Sequence, residues 1–364
     1  MKKLKIYYLL SKEGKLEPLS GDRINEMNII RSLCKYFDVY YNGEFCKAEM
    51  KSFGRDDREI VVPKDGEFDL IYVRNNIDVF LKSPHPKLWF ASPYNKDCFD
   101  CADGIVCMTE PWKERLSTYS NKDYEYFVET YPKDMKAPKN CILFPQVIEL
   151  FDEAKIEGIK SSKNKLPKVS LFRKIFKKDI NKSKTIRHFG PIRKSNFPHQ
   201  LGYILENNSK IDKMVAAECI GAGKKFKIPK NIINTPRVPQ EEAFKLLINS
   251  DAIWYNQDES GNIAGSLKIL EAMAAGVPIL LPRYDARECE LGKDYPYFWD
   301  IKEGTTIRDV NQPDLVKKLE KIINISEKER EDLYHSLRNR VKRHSTESAA
   351  EILREEIEYF MESK

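Results

Sequence analysis

Apolar positions in this chain come in short runs, and between them lie stretches with helical spacing. "KLKIYYLL" near the start reads as a strand, and "SGDRINEMNIIRSLCKYF" (20–37) sets Ile24, Met27, Ile30 and Leu33 at helical intervals. "DVYYNG", "FDLIYVRNN", "KLWFASPYN", "ADGIVCMT" and "CILFPQV" follow, each bounded by Pro, Gly, Asn or Asp. Behind "ADGIVCMT", Thr109 is placed to cap a helix whose early turn holds Glu110 and Pro111. Strands alternating with helices predict a parallel sheet covered on both faces.

The rhythm breaks over 152–184, where residues 160–184 hold ten Lys and Arg against a single acid, Asp179. It resumes with "KTIRHFG", a strand ending in Gly190, then a helix in "HQLGYILEN" and the segments "KMVAAECIG" and "NIINTPRVP". A helix after Pro239, the strand "DAIWY" and the polar loop "NQDESGNIAG" lead into "GSLKILEAMAAGVPIL" (265–280). The tail from 326 reads as charged helix, and no repeat of solenoid period is present. The pattern predicts an α/β protein of two Rossmann-like, doubly wound domains facing across a cleft. The first spans 1–160, a basic junction 161–184 and the second 185–345, with a helix at about 346–364 packing back on the first.

Composition narrows the class. A chain of 364 residues, 41% hydrophobic and 32% charged, is globular. Its net charge of +6 suits an anionic ligand or a membrane surface and does not by itself indicate nucleic acid. The apolar run in "MKKLKIYYLLSKEGK" is too short for a signal peptide, and no stretch approaches the ~18 apolar residues of a membrane span. Eight scattered cysteines read as reduced thiols in a cytoplasm. "CFDC" (98–101) is a lone CxxC, and the five histidines show neither HxxxH nor HExxH spacing, so no metal site is expected. GxSxG and Walker A motifs are absent. His188, beside Gly190, either lines a cleft or fills a plain strand position.

The segment at 265–280 carries the chemistry. On a helical wheel Leu267, Ile269, Leu270, Met273 and Ala274 share one side, opposite Lys268, Glu271, Ala272 and Ala275. Two alanines beside only two charges predict close packing there, by backbone or by ligand. Gly265 permits close approach, Ser266 can cap, and the free N–H groups of residues 266–268 lie at the positive end of the helix dipole. Lys268 adds a full charge, while Gly276 and Pro278 end the helix. A phosphate at 265–268, with Glu271 a turn deeper accepting from hydroxyls, describes a nucleotide diphosphate. An exposed i,i+3 pair of Lys268 with Glu271 is the alternative.

"GSLKILEAMAAGVPILL" (265–281) resembles the nucleotide-binding helix and strand of retaining, nucleotide-sugar-dependent glycosyltransferases of GT-B architecture, known as glycosyl transferases group 1 or family 4. The resemblance continues through 237–255, 186–198, 102–116, 141–151 and 20–30, and so covers nearly the whole chain. It implies transfer of a sugar from a nucleotide-diphosphate donor to a glycan or lipid-linked glycan, as in polysaccharide biosynthesis, with retention and with neither metal nor cofactor. By position, it implies that Glu271 binds ribose hydroxyls and that the amides of Ser266 and Leu267 hold the diphosphate beside Gly190, Gly265 and Lys268. Arg193 and Lys194 would offset its charge as the leaving group departs, and the backbone near Arg237 and Val238 would meet the base. Gly21, Asp22, Arg23 and Asn95 fall on the acceptor side.

Two features depart from the family pattern: the basic pair Arg193 and Lys194 lies closer to Gly190 than is usual, and one site residue is replaced. Ile263 stands where a second glutamate is usual, and Asp258 or Glu259 could replace it from a longer loop. In the junction, Leu171, Phe172, Ile175 and Phe176 flanked by Arg173, Lys174, Lys177 and Lys178 form a basic amphipathic pattern. Such a pattern suits peripheral attachment at the inner membrane face, or a linker docked on a domain. Two other functions fit the same architecture. One is a glucosyltransferase acting on hydroxylated bases of DNA; the other is a non-catalytic nucleotide-sugar-binding or scaffold protein.

Overall fold

The computed structural model of the chain describes residues 3–9, 21–41, 68–74, 77–92, 94–124, 126–127, 130–150, 152–161, 184–190, 198–221, 228–255, 265–307 and 309–364. Its first half runs β1 (Lys5–Leu9), α1 (Gly21–Leu33), β2 (Asp38–Tyr41), β3 (Leu70–Val73), α2 (Ile77–Lys82), β4 (Lys87–Phe90), α3 (Lys96–Cys101), β5 (Gly104–Cys107), α4 (Glu110–Ser117) and β6 (Cys141–Leu143). Then come α5 (Glu153–Ser161), β7 (Lys184–Phe189), α6 (Pro198–Asn207), α7 (Ser209–Met214), β8 (Val215–Ile220), β9 (Ile232–Thr235), α8 (Gln240–Ile248) and β10 (Ala252–Trp254). The chain finishes with α9 (Leu267–Ala274), β11 (Ile279–Pro282), α10 (Asp285–Leu291), β12 (Phe298–Trp299), α11 (Pro313–Ile323), α12 (Glu327–Val341) and α13 (Thr346–Glu362).

Two compact units result. One holds Met1–Glu149, Asn262–Leu267 and Arg343–Lys364; the other holds Leu150–Gly261 and Lys268–Lys342. The second unit thus begins ahead of the expected boundary at 160, because α5 packs on α8 and on α12. Glu153 lies 3.6 Å from Arg338, and the Lys160 ammonium sits 4.4 Å from the centre of the Tyr334 ring.

In the first unit the strands form one parallel sheet in the order β2-β1-β3-β4-β5-β6. Ile6, Tyr8, Leu70, Ile71, Leu88, Ile105 and Val106 are buried along it, as continuous apolar runs covered on both faces require. Met27, Ile30 and Leu33 bury the predicted face of α1. The Thr109 hydroxyl accepts from the Trp112 amide at 3.4 Å, starting α4 where the sequence places a cap. The last helix, α13, packs on α1 and β6. Its Glu356 carboxylate accepts the Leu143 amide at 2.9 Å, satisfying a donor on the edge strand.

The second unit carries the sheet β12-β11-β10-β7-β8-β9, again parallel. Numbered from its own first strand this is the order 3-2-1-4-5-6, the dinucleotide-binding arrangement, which reverses between β7 and β10. Arg187 and Glu218 hold that centre in place. Arg187 Nε is 2.7 Å from the carboxylate, and its Nη1 donates to Leu246 O, Asn249 O and Ser250 Oγ. A buried pair so completely bonded avoids the desolvation cost of an isolated charge and ties β7 to β8 and α8.

Several sequence expectations fall outside the described residues: Arg193, Lys194, Asp258, Glu259, Ile263 and the basic amphipathic pattern at 171–178. Among the described residues no helix is long and apolar enough to cross a membrane, and no cluster of His, Cys, Asp and Glu could hold a metal ion.

Candidate functional site

In an open parallel sheet, ligands bind beyond the carboxyl ends of the strands, where the strand order reverses. In the second unit that point is the end of β7, and Gly190 lies on it with φ +96°, a left-handed conformation that favours glycine. A Cβ at Gly190 would stand 2.6 Å from the Lys268 ammonium nitrogen. The Lys268 side chain therefore reaches back from α9 to lie over the glycine, rather than along its own helix as in an i,i+3 surface pair. A Cβ at Gly221, which follows β8 with φ +74°, would stand 3.8 Å from the Arg237 Cα and 3.9 Å from the Gly190 Cα. Segments following three different strands thereby set Gly190 beside Lys268 of α9 on one side and near Gly221 and Arg237 on the other. Arg237 is exposed and Val238 half-buried.

One turn along α9, Glu271 is only partly covered, yet its ionisation is strongly affected. Burial pushes its carboxyl up to about 7, against the opposing pull of Lys268. Ala272 and Ala275 are fully covered by the protein itself. Part of the close packing predicted on this side is thus supplied by the chain. The α12 side chains Tyr334 and Arg338 lie against the carboxyl end of α9, with Arg338 donating to Ala274 O at 2.6 Å. Lys268 and Glu271 stand apart from that contact, toward the amino end.

Gly265 differs from its sequence reading. Within the first unit the Gln146 side chain approaches it, and a Cβ there would meet Gln146 Oε1 at 2.7 Å. The close approach that requires glycine is therefore made by the chain. Ser266 is buried immediately ahead of α9.

Comparison with known proteins adds the whole-chain view. No family model and no curated protein sequence matches the chain. Solved structures do. HepE of Anabaena in complex with UDP and glucose superposes with a TM-score of 0.63 at 10% identity, covering 98% of this chain and 100% of that one. The α,α-trehalose 6-phosphate synthase of Burkholderia multivorans gives 0.62 at 10% identity, over 100% of this chain and 99% of the other. The N-terminal domain of Candida albicans trehalose-6-phosphate phosphatase gives 0.58 at 14% identity, over 98% and 97%. This chain has the GT-B fold.

Within that GT-B frame the first unit holds a polar cluster that the sequence reading missed. Its sheet order turns about β1, between β2 and β3. Arg74, the residue after β3, lies 3.6 Å from the buried Glu26 of α1 and stacks over Phe90 at 4.6 Å. Tyr8 and Tyr72 meet beside this pair with ring centres 4.7 Å apart, and burial pushes both phenols well up. Nearby, the Asn25 carbonyl accepts the Val147 amide while Asn28 donates to Val147 O, each at 2.9 Å. Glu26 lies inside the quoted "SGDRINEMNII", and its position among apolar helical residues was the signal available.

The acceptor-side candidates divide. Gly21, Asp22 and Arg23 occupy the first turn of α1, and their side chains lie outside the described residues. Asn95 caps α3, its side-chain oxygen accepting the Cys98 amide at 3.0 Å, so turn chemistry accounts for it. A cavity of about 490 Å³ opens at the other end of this sheet, beside Gly104 at the start of β5, away from the strand ends that bind ligands in such folds.

Proposed function

We propose that the chain is a glycosyltransferase that takes a sugar from a nucleotide-diphosphate donor held by the second unit and gives it to an acceptor held by the first. The observation that carries this reading is the Lys268 ammonium over Gly190 at the reversal point of a dinucleotide-type sheet, with the Glu271 carboxyl one turn on. The presence of UDP and glucose in the HepE complex supports the same class of donor.

The chemistry follows from where charge develops. As the bond from the anomeric carbon to the diphosphate breaks, negative charge gathers on the departing phosphate oxygens. Lys268 and the leading amides of α9, at Ser266, Leu267 and Lys268, are fixed donors that stabilise that charge without reorganising. By the family resemblance Arg193 and Lys194 add to that positive charge, which lets the reaction proceed without a metal ion. Glu271 accepts from the two ribose hydroxyls, and the backbone of Arg237 and Val238 meets the base. On the first unit, Arg74, held by the buried Glu26, offers a cation toward an acceptor glycan or lipid-linked glycan. Retention of configuration and attachment to the inner membrane face through 160–184 complete the proposal.

The test is calorimetric titration with a panel of nucleotide sugars, beginning with UDP-glucose. Glu271→Ala should weaken the best ligand at least tenfold, about 1.4 kcal/mol, because a charge-assisted contact to two hydroxyls is lost. Undiminished affinity in a folded Glu271→Ala protein would reject the assignment.

A further inference from the structure

Neighbouring residues of β7 point to opposite faces of the sheet, so Arg187 and His188 have different surroundings. Arg187 spends its donors on Glu218 and α8, as described above. His188 is 4% exposed, and its Nδ1 lies 3.2 Å from the main-chain oxygen of Trp254 on β10. A carbonyl oxygen can only accept, so Nδ1 carries the proton and Nε2 carries a bare lone pair. That Nε2 is buried and has no hydrogen-bond partner among the described residues. Burial first, and the Lys268 charge second, push the imidazole down to about 3, which keeps the ring neutral.

A buried acceptor without a donor is costly, and such groups in native structures call for an explanation. This one lies two residues inside Gly190, beside the same lysine that overlies that glycine. We propose that His188 is a specificity-determining residue whose Nε2 accepts a hydrogen bond from a hydroxyl of the bound nucleotide sugar, an inference that rests on the donor reading above. The chemistry selects a hydroxyl over a phosphate oxygen. Phosphate oxygens bring lone pairs, which repel another lone pair, and His188 could donate to them only by gaining a charge beside Lys268. A hydroxyl can donate to Nε2 and at the same time accept from the Lys268 ammonium. The role is positioning and selection; no proton is transferred to His188.

Titration of the whole protein with UDP-glucose and with inorganic pyrophosphate, in HEPES and in Tris at pH 8.5, above the range in which Glu271 titrates, tests this. His188→Leu keeps an apolar bulk without the acceptor and should bind UDP-glucose about tenfold more weakly, with pyrophosphate affinity unchanged. His188→Gln, whose amide oxygen reaches toward the Nε2 position, should recover most of the loss. With Glu271 already ionised, the wild-type enthalpy of UDP-glucose binding should be the same in both buffers, because His188 takes up no proton. Equal loss of both ligands in His188→Leu, wild-type affinity for UDP-glucose in that variant, or proton uptake by the wild type would each overturn the proposal. If His188→Leu does not fold, the wild type decides: the nitrogen-15 resonance of His188 Nε2 should move upfield when UDP-glucose binds and stay in place with pyrophosphate, and a resonance unmoved by UDP-glucose would overturn the proposal. Wild-type protein that binds neither UDP-glucose nor any other nucleotide sugar would instead reject the donor reading on which the inference stands.

Discussion

Glu271 makes the donor site sensitive to pH in a range where few carboxylates titrate. Its acid form persists to about 7 because burial outweighs the attraction of Lys268. The ionised carboxylate accepts hydroxyl hydrogen bonds more strongly than the neutral acid, so nucleotide-sugar affinity should rise from pH 6 to pH 8 and then level off. UDP-glucose has no group titrating in that interval, and His188, pushed down to about 3, has none either. Calorimetry across this range should therefore show a rise centred near pH 7 that is flat in Glu271→Gln; a rise retained in that variant would place its source elsewhere. At this scale the sequence made Lys268 and Glu271 legible, since a helix start after glycine advertises its own chemistry. It could not show Gln146 against Gly265, or Arg74 on Glu26, because those contacts join residues far apart in the chain.

Elements were legible where their runs were long enough to show a period. The end of α9 is the clearest case. "AAGVP" predicted a stop at Gly276, and the structure closes there with the Val277 amide on Ala272 O and the Gly276 amide on Met273 O, both 2.9 Å. This paired closure needs a left-handed residue, and Gly276 has φ +65°. A side chain at that position is also excluded by the Tyr334 ring of α12, where an added Cβ would overlap the ring carbons. Gly276→Ala should thus cost about 2–4 kcal/mol, combining backbone strain with displacement of a packed aromatic. Urea unfolding would measure it, and a loss below about 1 kcal/mol would mean that α12 yields easily. By contrast β12, with only Phe298 and Trp299, and the six-residue α2 are too short for periodicity to reveal. The helix α5 was hidden by its highly charged neighbourhood, and its packing on α8 and α12 assigns it to the second unit.

Across the whole molecule, alternating strands and helices were enough to anticipate two parallel sheets, while the return of the chain's end to the first unit depended on the apolar face of α13. That return gives the two units different responses to acid. The first contains His344, whose Nδ1 is 2.9 Å from Gln146 O and whose imidazole is pushed down to about 4 by burial. Below its ordinary value of about 6.5, the unfolded chain takes up a proton that the folded unit refuses. Stability then falls as pH falls, by about 1.4 kcal/mol per pH unit until the folded value is reached. His188 imposes the same loss on the second unit, but Glu271 opposes it. The raised carboxyl holds a proton in the folded state that the unfolded chain releases, so its contribution to stability grows as pH drops from about 7 to its ordinary value of 4.5. Between about pH 6.5 and 4.5 the two effects in the second unit cancel, and the first unit has no such compensation from Glu271. Amide exchange at pH 5, corrected for intrinsic rates and compared with pH 6.5, should therefore accelerate about fifteenfold in β1 and β3–β5, equivalent to about 1.6 kcal/mol. In β7, β8 and β10 it should change by less than about threefold. His344→Gln should remove the difference between the units, whereas equal acceleration in both units of the wild type would show that their acid responses are not set by these three buried groups.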